Sequence, residues 1–276
     1  MKKSFYFFLC FSLSIQVISC TTNTRNTECG NKYSLNYISS KYGCTYFETF
    51  KSDSIGSNPN LVILLHGDAP FNPPSYHNEL GEILQNQTKN TISVAILRPG
   101  YEDSEGNRSE GIKGNTTGDN YTRDVVDNLI EVIKRLKERY QPNQVLIVGH
   151  SGGAAIAADI LSLSTNLIDQ TILVSCPCDV ESWRKYMSSK QPYYKFWKES
   201  VQSISPITIA DSLPSNSQII LLHGLKDDVV PFGISNMYYQ KLKSKNKDVE
   251  IIKIENGGHE IFLSDIVINT IKKRID

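Results

Sequence analysis

The sequence predicts an α/β fold in which a mostly parallel central sheet is covered by helices on both faces. Three observations lead there. Short, continuous apolar runs recur along the chain, as expected of strands buried on both faces rather than one. Between them lie segments with apolar residues three and four apart, so strand and helix alternate. No internal repeat or low-complexity tract interrupts that rhythm over the 276 residues. Lys plus Arg number 29 and Asp plus Glu 29, so the chain lacks the basic excess that holds nucleic acid. A hydrophobic content of 39% supplies a large core and is too little for a multi-span membrane protein.

Lys2 and Lys3 precede an apolar run over residues 5–18, too short for a spanning helix of about 20 residues and placed as a secretory signal is. The run ends Val17-Ile18-Ser19-Cys20, which resembles the lipobox of bacterial lipoproteins. That resemblance implies cleavage before Cys20, a diacylglycerol on its thiol, and an exported protein anchored to a membrane of the cell envelope. An ordinary secretory signal with an incidental cysteine is the alternative. Residues 1–19 are therefore expected to be the signal, 20–43 a polar tether, and 44–276 the folded domain.

Residues 44–50, rich in aromatic and β-branched side chains, read as an early antiparallel strand. Residues 61–65 and 92–97 read as buried strands, ending in His66-Gly67 and in Arg98-Pro99-Gly100, with a helix over 78–87 between them. In residues 119–140 Val125, Val126, Leu129, Ile130, Ile133 and Leu136 form an amphipathic helix stopped by Pro142. A strand at 145–148, a small-residue helix at 154–163 and strands at 171–174 and 219–222 follow, then a helix at 235–242, a strand at 249–254 and a helix at 260–275. The glycine-studded loop 98–120 and the stretch 179–217 break the alternation, and long insertions in compact domains are often functional.

Apart from Cys20, the exported chain would keep Cys29, Cys44, Cys176 and Cys178, an even number that points to disulfides. Cys29 with Cys44 is the natural first pair. Cys176 and Cys178 are so close that a free or labile pair, with the sulfurs lining a crevice, is an equal reading, and four cysteines allow three connectivities. No Cys or His cluster has metal-ligand spacing, and neither metal nor organic cofactor is expected.

The chemistry concentrates where the strand 145–148 runs into Gly149-His150-Ser151-Gly152-Gly153 and then a helix. Such a turn is a nucleophile elbow: it holds the serine in a strained conformation, needs small neighbours, and projects the hydroxyl above the sheet beside a helix N-terminus. As a bare pattern it is weak, and its strand-to-helix context gives it meaning.

On these residues the chain, over about 61–276, resembles the α/β-hydrolase superfamily. The stretch His223-Gly224-Leu225-Lys226-Asp227-Asp228-Val229-Val230-Pro231 is similar to the family's acid motif and implies Asp227 as the acid, with Asp228 as the alternative. Gly257-Gly258-His259 implies His259 as the base, in the family's order of nucleophile, acid and base; His77 precedes the serine, on the wrong side for this topology. The amide of Gly152 and that of Asp68 or Ala69, after the strand ending in His66-Gly67, are the implied oxyanion donors. Insertions like 179–217 often form a small helical cap in this family, so its aromatic residues, Trp183 and Trp197 foremost, are candidate substrate contacts, with packing of the cap onto the sheet as the alternative. The Arg98-Pro99-Gly100-Tyr101 loop resembles one that several family esterases and aminopeptidases carry beside the serine. Arg98 and Tyr101 are thus further candidates, with Asp119 as the expected partner of Arg98 if it is structural. The resemblance implies hydrolysis of a small ester through an acyl-enzyme, with a short peptide as the rival substrate and a noncatalytic binding module as the third reading.

Overall fold

A computed structural model describes Cys29 and residues 35–275. The expected signal over 1–19, the lipidation candidate Cys20 and the tether up to residue 34, Cys29 excepted, lie outside the described residues.

Eight strands form one sheet in the order β1-β2-β4-β3-β5-β6-β7-β8. They are β1 (Tyr37–Ser40), β2 (Gly43–Lys51), β3 (Asn60–Leu65), β4 (Thr91–Ile96), β5 (Gln144–His150), β6 (Gln170–Val174), β7 (Gln218–Gly224) and β8 (Asp248–Ile254). From β4 to β8 every neighbouring pair is parallel, whereas β1 on β2 and β2 on β4 are antiparallel. Parallel neighbours need crossovers, and helices supply them: α1 (Tyr76–Gln87), α2 (Arg123–Tyr140), α3 (Gly152–Leu163), α4 (Val180–Lys190) and α5 (Phe232–Ser244), while α6 (Asp265–Ile275) follows β8.

The period of two along each strand sends alternate residues to two cores. Leu61, Ile63, Leu65, Val145 and Ile147 pack with the apolar faces of α2 and α3. Val62, Leu64, Leu146 and Val148 pack with Leu80 and Leu84 of α1 and with Val267, Ile268 and Ile271 of α6. Burial on both faces explains why these strands are unbroken apolar runs. Close packing also fixes a glycine in α1, because a Cβ on Gly81 would stand 2.3 Å from the Phe50 ring.

Three boundaries depart furthest from the sequence expectation. The fold begins within the stretch expected to be tether, because Tyr37–Ser40 pairs with β2 to widen the sheet at its edge. Helix α2 starts at Arg123 rather than 119, with Thr122 as its N-cap. The preceding residues are held by the loop: Asp119 accepts the amides of Asn115 and Thr116, and the Tyr121 amide donates to Ser203 Oγ. Helix α6 starts at Asp265 rather than 260, because a turn bonded from Ile261 to the His259 carbonyl and from Ser264 to that of Ile261 precedes it. The insertion 179–217 holds α4 followed by three short 3-10 turns.

Both cysteine pairs are disulfides, Cys29 with Cys44 and Cys176 with Cys178. Cys176 and Cys178 are fully buried in the core beside α3 and do not line the cleft described below.

Candidate active site

In chain order β3 is followed by β4 on one side and β5 on the other, so a crevice opens beyond their C-terminal ends. Two turns meet there. The one after β5 carries Ser151 at φ 50° and ψ −120°, a conformation that costs of order 1–3 kcal/mol and persists because its surroundings over-determine it. Gly153 must be bare: a Cβ there would lie 2.4 Å from the His66 carbonyl oxygen. The one after β3 passes directly against the serine, since a Cβ on Gly67 would be 3.1 Å from Ser151 Cβ.

Loops from β7 and β8 complete a hydrogen-bonded chain. His259 Nε2 is 3.0 Å from Ser151 Oγ, and His259 Nδ1 is 2.8 Å from Asp227 Oδ2. The other Asp227 oxygen accepts the amides of Val229 and Val230 at 2.9 and 2.8 Å. Burial opposes the Asp227 charge, yet hydrogen bonds from His223, His259 and the Val230 amide hold its carboxyl well below the usual range. Asp228, the alternative acid, is exposed and paired with Lys190 at 2.9 Å. Behind His259, its carbonyl is held by the His150 ring (3.0 Å) and the Ser175 hydroxyl (3.1 Å). Burial and the neighbouring His259 push His150 down to about 3, so it is neutral.

The cleft is a cavity of about 690 Å³ with Ser151 and His259 in its wall. Asp68 and Ala69 line it, and Gly152 opens α3 beside the serine, where a helix amide has no intrahelical acceptor. Trp183 and Trp197 also line it, within an aromatic cluster in which that pair meets edge to face at 5.7 Å between ring centroids and Phe196 and Trp197 lie 4.9 Å apart.

Arg98 and Tyr101 do not reach the cleft. They are 0% and 2% exposed and stand behind its wall. Arg98 Nη1 bonds Asp68 Oδ1 at 3.0 Å, so its partner is Asp68 and not Asp119, and the Tyr101 hydroxyl donates to the Asp68 carbonyl at 3.0 Å. His77 is buried, and burial pushes it down to about 3. The sequence reading missed the Asp68 carboxylate itself and Tyr121, whose hydroxyl donates to Asp68 Oδ2 at 2.7 Å.

This sheet, its elbow and the order of Ser151, Asp227 and His259 define an α/β-hydrolase. Residues 106–274 match the prolyl oligopeptidase family, Peptidase_S9, and the chain belongs to that family. A probable isoprenylcysteine alpha-carbonyl methylesterase of Oryza sativa subsp. japonica is 27% identical over 149 residues, covering 45% of this chain and 36% of its own. Acylaminoacyl peptidase of Pyrococcus horikoshii superposes with a TM-score of 0.59 at 15% identity, over 84% of this chain and 38% of that one. Est1E of Butyrivibrio proteoclasticus, in a structure with ferulic acid bound, gives 0.63 at 14% identity, over 84% and 94%. This chain thus spans under two-fifths of the methylesterase and of the peptidase, while Est1E is matched almost end to end.

Proposed function

We propose that the protein is a serine hydrolase of carboxylic esters. The observation that carries this reading is the continuous hydrogen-bonded chain from Ser151 Oγ through His259 to Asp227, at 3.0 and 2.8 Å, with the serine on a strained turn. His259 Nε2 takes the hydroxyl proton as Oγ attacks the acyl carbonyl and passes it to the leaving alcohol. Asp227 accepts a hydrogen bond from His259 Nδ1–H, which fixes the required tautomer and stabilises the imidazolium. The oxyanion is held by the amide of Gly152 and that of Asp68 or Ala69, and water then hydrolyses the acyl-enzyme. The aromatic wall of Trp183, Phe196 and Trp197 favours an apolar acyl group.

Membership of a family named for peptidases supports a second reading, cleavage of a short peptide. Comparing kcat/KM on nitrophenyl esters and aminoacyl anilides separates the two. Preference for esters by tenfold or more is expected, with all turnover lost in Ser151→Ala; preference for anilides ends the ester reading.

We infer further that the enzyme is exported and anchored through Cys20. The lipobox-like run before it and two disulfides in the chain support this, since disulfides persist in oxidising compartments. Cys20→Ala is expected to move the protein from the membrane to the soluble fraction, and unchanged partition would refute the anchor.

A further inference from the structure

The Asp68 carboxylate is held far more firmly than a residue valued for its backbone amide requires. Oδ1 takes Arg98 Nη1 at 3.0 Å; Oδ2 takes the Tyr121 hydroxyl at 2.7 Å and the Gly118 amide at 2.8 Å. The Asp68 carbonyl takes the Tyr101 hydroxyl at 3.0 Å, and Arg98 also reaches back to His66 through its amide, 3.0 Å from Nε2, and through Nη1, 3.2 Å from the carbonyl. The His66–Gly67 and Asp68–Ala69 peptide groups are therefore clamped.

Stability is a poor reason for this arrangement. Arg98 is fully buried, its Nε and Nη2 have no hydrogen-bond partner among the described residues, and apart from Asp68 its guanidinium is flanked by the rings of Tyr101 and Tyr121, at 5.1 and 5.7 Å. A buried ion pair with unsatisfied donors is commonly no better for stability than apolar side chains of the same volume. What it supplies is position. The carboxylate lies against the elbow, since a Cβ on Gly152 would meet Asp68 Oδ1 at 2.3 Å. It also lies one residue from the cap, since a Cβ on Gly118 would meet the Trp183 ring at 2.5 Å.

We propose that the Asp68 side chain is a positioning residue for the oxyanion: clamped by Arg98, Tyr121 and Gly118, it fixes the amides of Asp68 and Ala69 relative to Gly152 and ties them to the Trp183 wall of the acyl site. This rests on the serine-hydrolase reading above. Amides must stand 2.7–3.1 Å from the place the oxyanion will occupy, and a 1 Å error costs about 10²-fold in rate.

The test uses the full chain with nitrophenyl acetate and butyrate, and a trifluoromethyl ketone whose hemiketal mimics the oxyanion. Asp68→Asn keeps the shape but turns an acceptor of the Tyr121 and Gly118 donors into a donor. It is expected to lower kcat about 10²-fold with KM within about twofold, and to weaken ketone binding by the same factor. Tyr121→Phe, which leaves its ring in the core, should lower kcat about tenfold with the same split. A folded Asp68→Asn with kcat within twofold of wild type overturns the proposal, as does a fall in kcat with ketone affinity unmoved. If Asp68→Asn fails to fold, Tyr121→Phe decides alone by the same criteria. Wild-type turnover that survives Ser151→Ala would sink the hydrolase reading itself, and this inference with it.

Discussion

Asp159 is fully buried in α3, and neither of its carboxylate oxygens has a hydrogen-bond partner among the described residues. The same holds among those residues for the buried Tyr238 hydroxyl of α5. Burial alone pushes the Asp159 carboxyl well above its ordinary value. The sign of the linkage follows: the folded state holds this proton more tightly than the unfolded chain. Its contribution is complete below the unfolded pKa of about 3.9 and is lost as pH rises towards the folded value. Asp159→Asn removes that titration while keeping the shape. Its Tm relative to wild type should therefore rise between pH 4 and pH 8, by several degrees, in paired thermal scans. A Tm difference independent of pH would show that Asp159 is ionised in the fold. The proposed catalytic residues differ from Asp159 in how readable they are. Ser151, Asp227 and His259 each sit in a local motif, because the turn that positions each side chain dictates its neighbours. Tyr121 carries no such mark: its contact with Asp68 spans 53 positions and leaves no pattern in either segment.

At the scale of elements, what could be read was whatever a period encodes. The strands 61–65, 92–97 and 145–148 differ from β3, β4 and β5 by at most two residues at either end, because burial on both faces leaves no room for polar punctuation. Helix starts were hidden where side chains serve another element. Residues 119–121 could continue a helix, but Asp119 closes the glycine-rich loop and the Tyr121 amide is taken by Ser203. Similarly, His259 must reach Ser151, and the turn to Ser264 that allows this shortens α6. Arg98 illustrates a different gap. Its place at the end of β4 was readable, and its partner was not, because Asp68 and Asp119 are both carboxylates on neighbouring loops. The cap was visible through its aromatic residues, yet its 3-10 turns were not. Arg184 holds that irregular backbone by donating to the Phe196 carbonyl and ties it to the glycine-rich loop through the Thr117 carbonyl at 2.7 Å, contacts no periodicity announces.

Across the whole molecule, the two disulfides occupy opposite roles. Cys29–Cys44 closes a separation of 15 residues and staples the chain before β1 to β2, at one edge of the sheet. A loop of that size stabilises by about 3 kcal/mol on the chain-entropy account, through the unfolded state. Cys176–Cys178 spans two residues and closes almost no loop, but it lies near the machinery: the Cys176 carbonyl accepts the Ser235 hydroxyl, which is bonded to His223 beside Asp227. A reductant would act on both bonds at once, so substitution separates them. Two strands, β4 and β3, stand between β2 and the serine-bearing β5. Replacing Cys29 and Cys44 together by serine should therefore lower unfolding free energy by about 3 kcal/mol in urea titrations while kcat at 25 °C stays within about twofold. If kcat falls tenfold in a variant that is still fully folded, the edge of the sheet and the cleft are mechanically coupled, and the clamp on Asp68 is not sufficient to hold the site by itself.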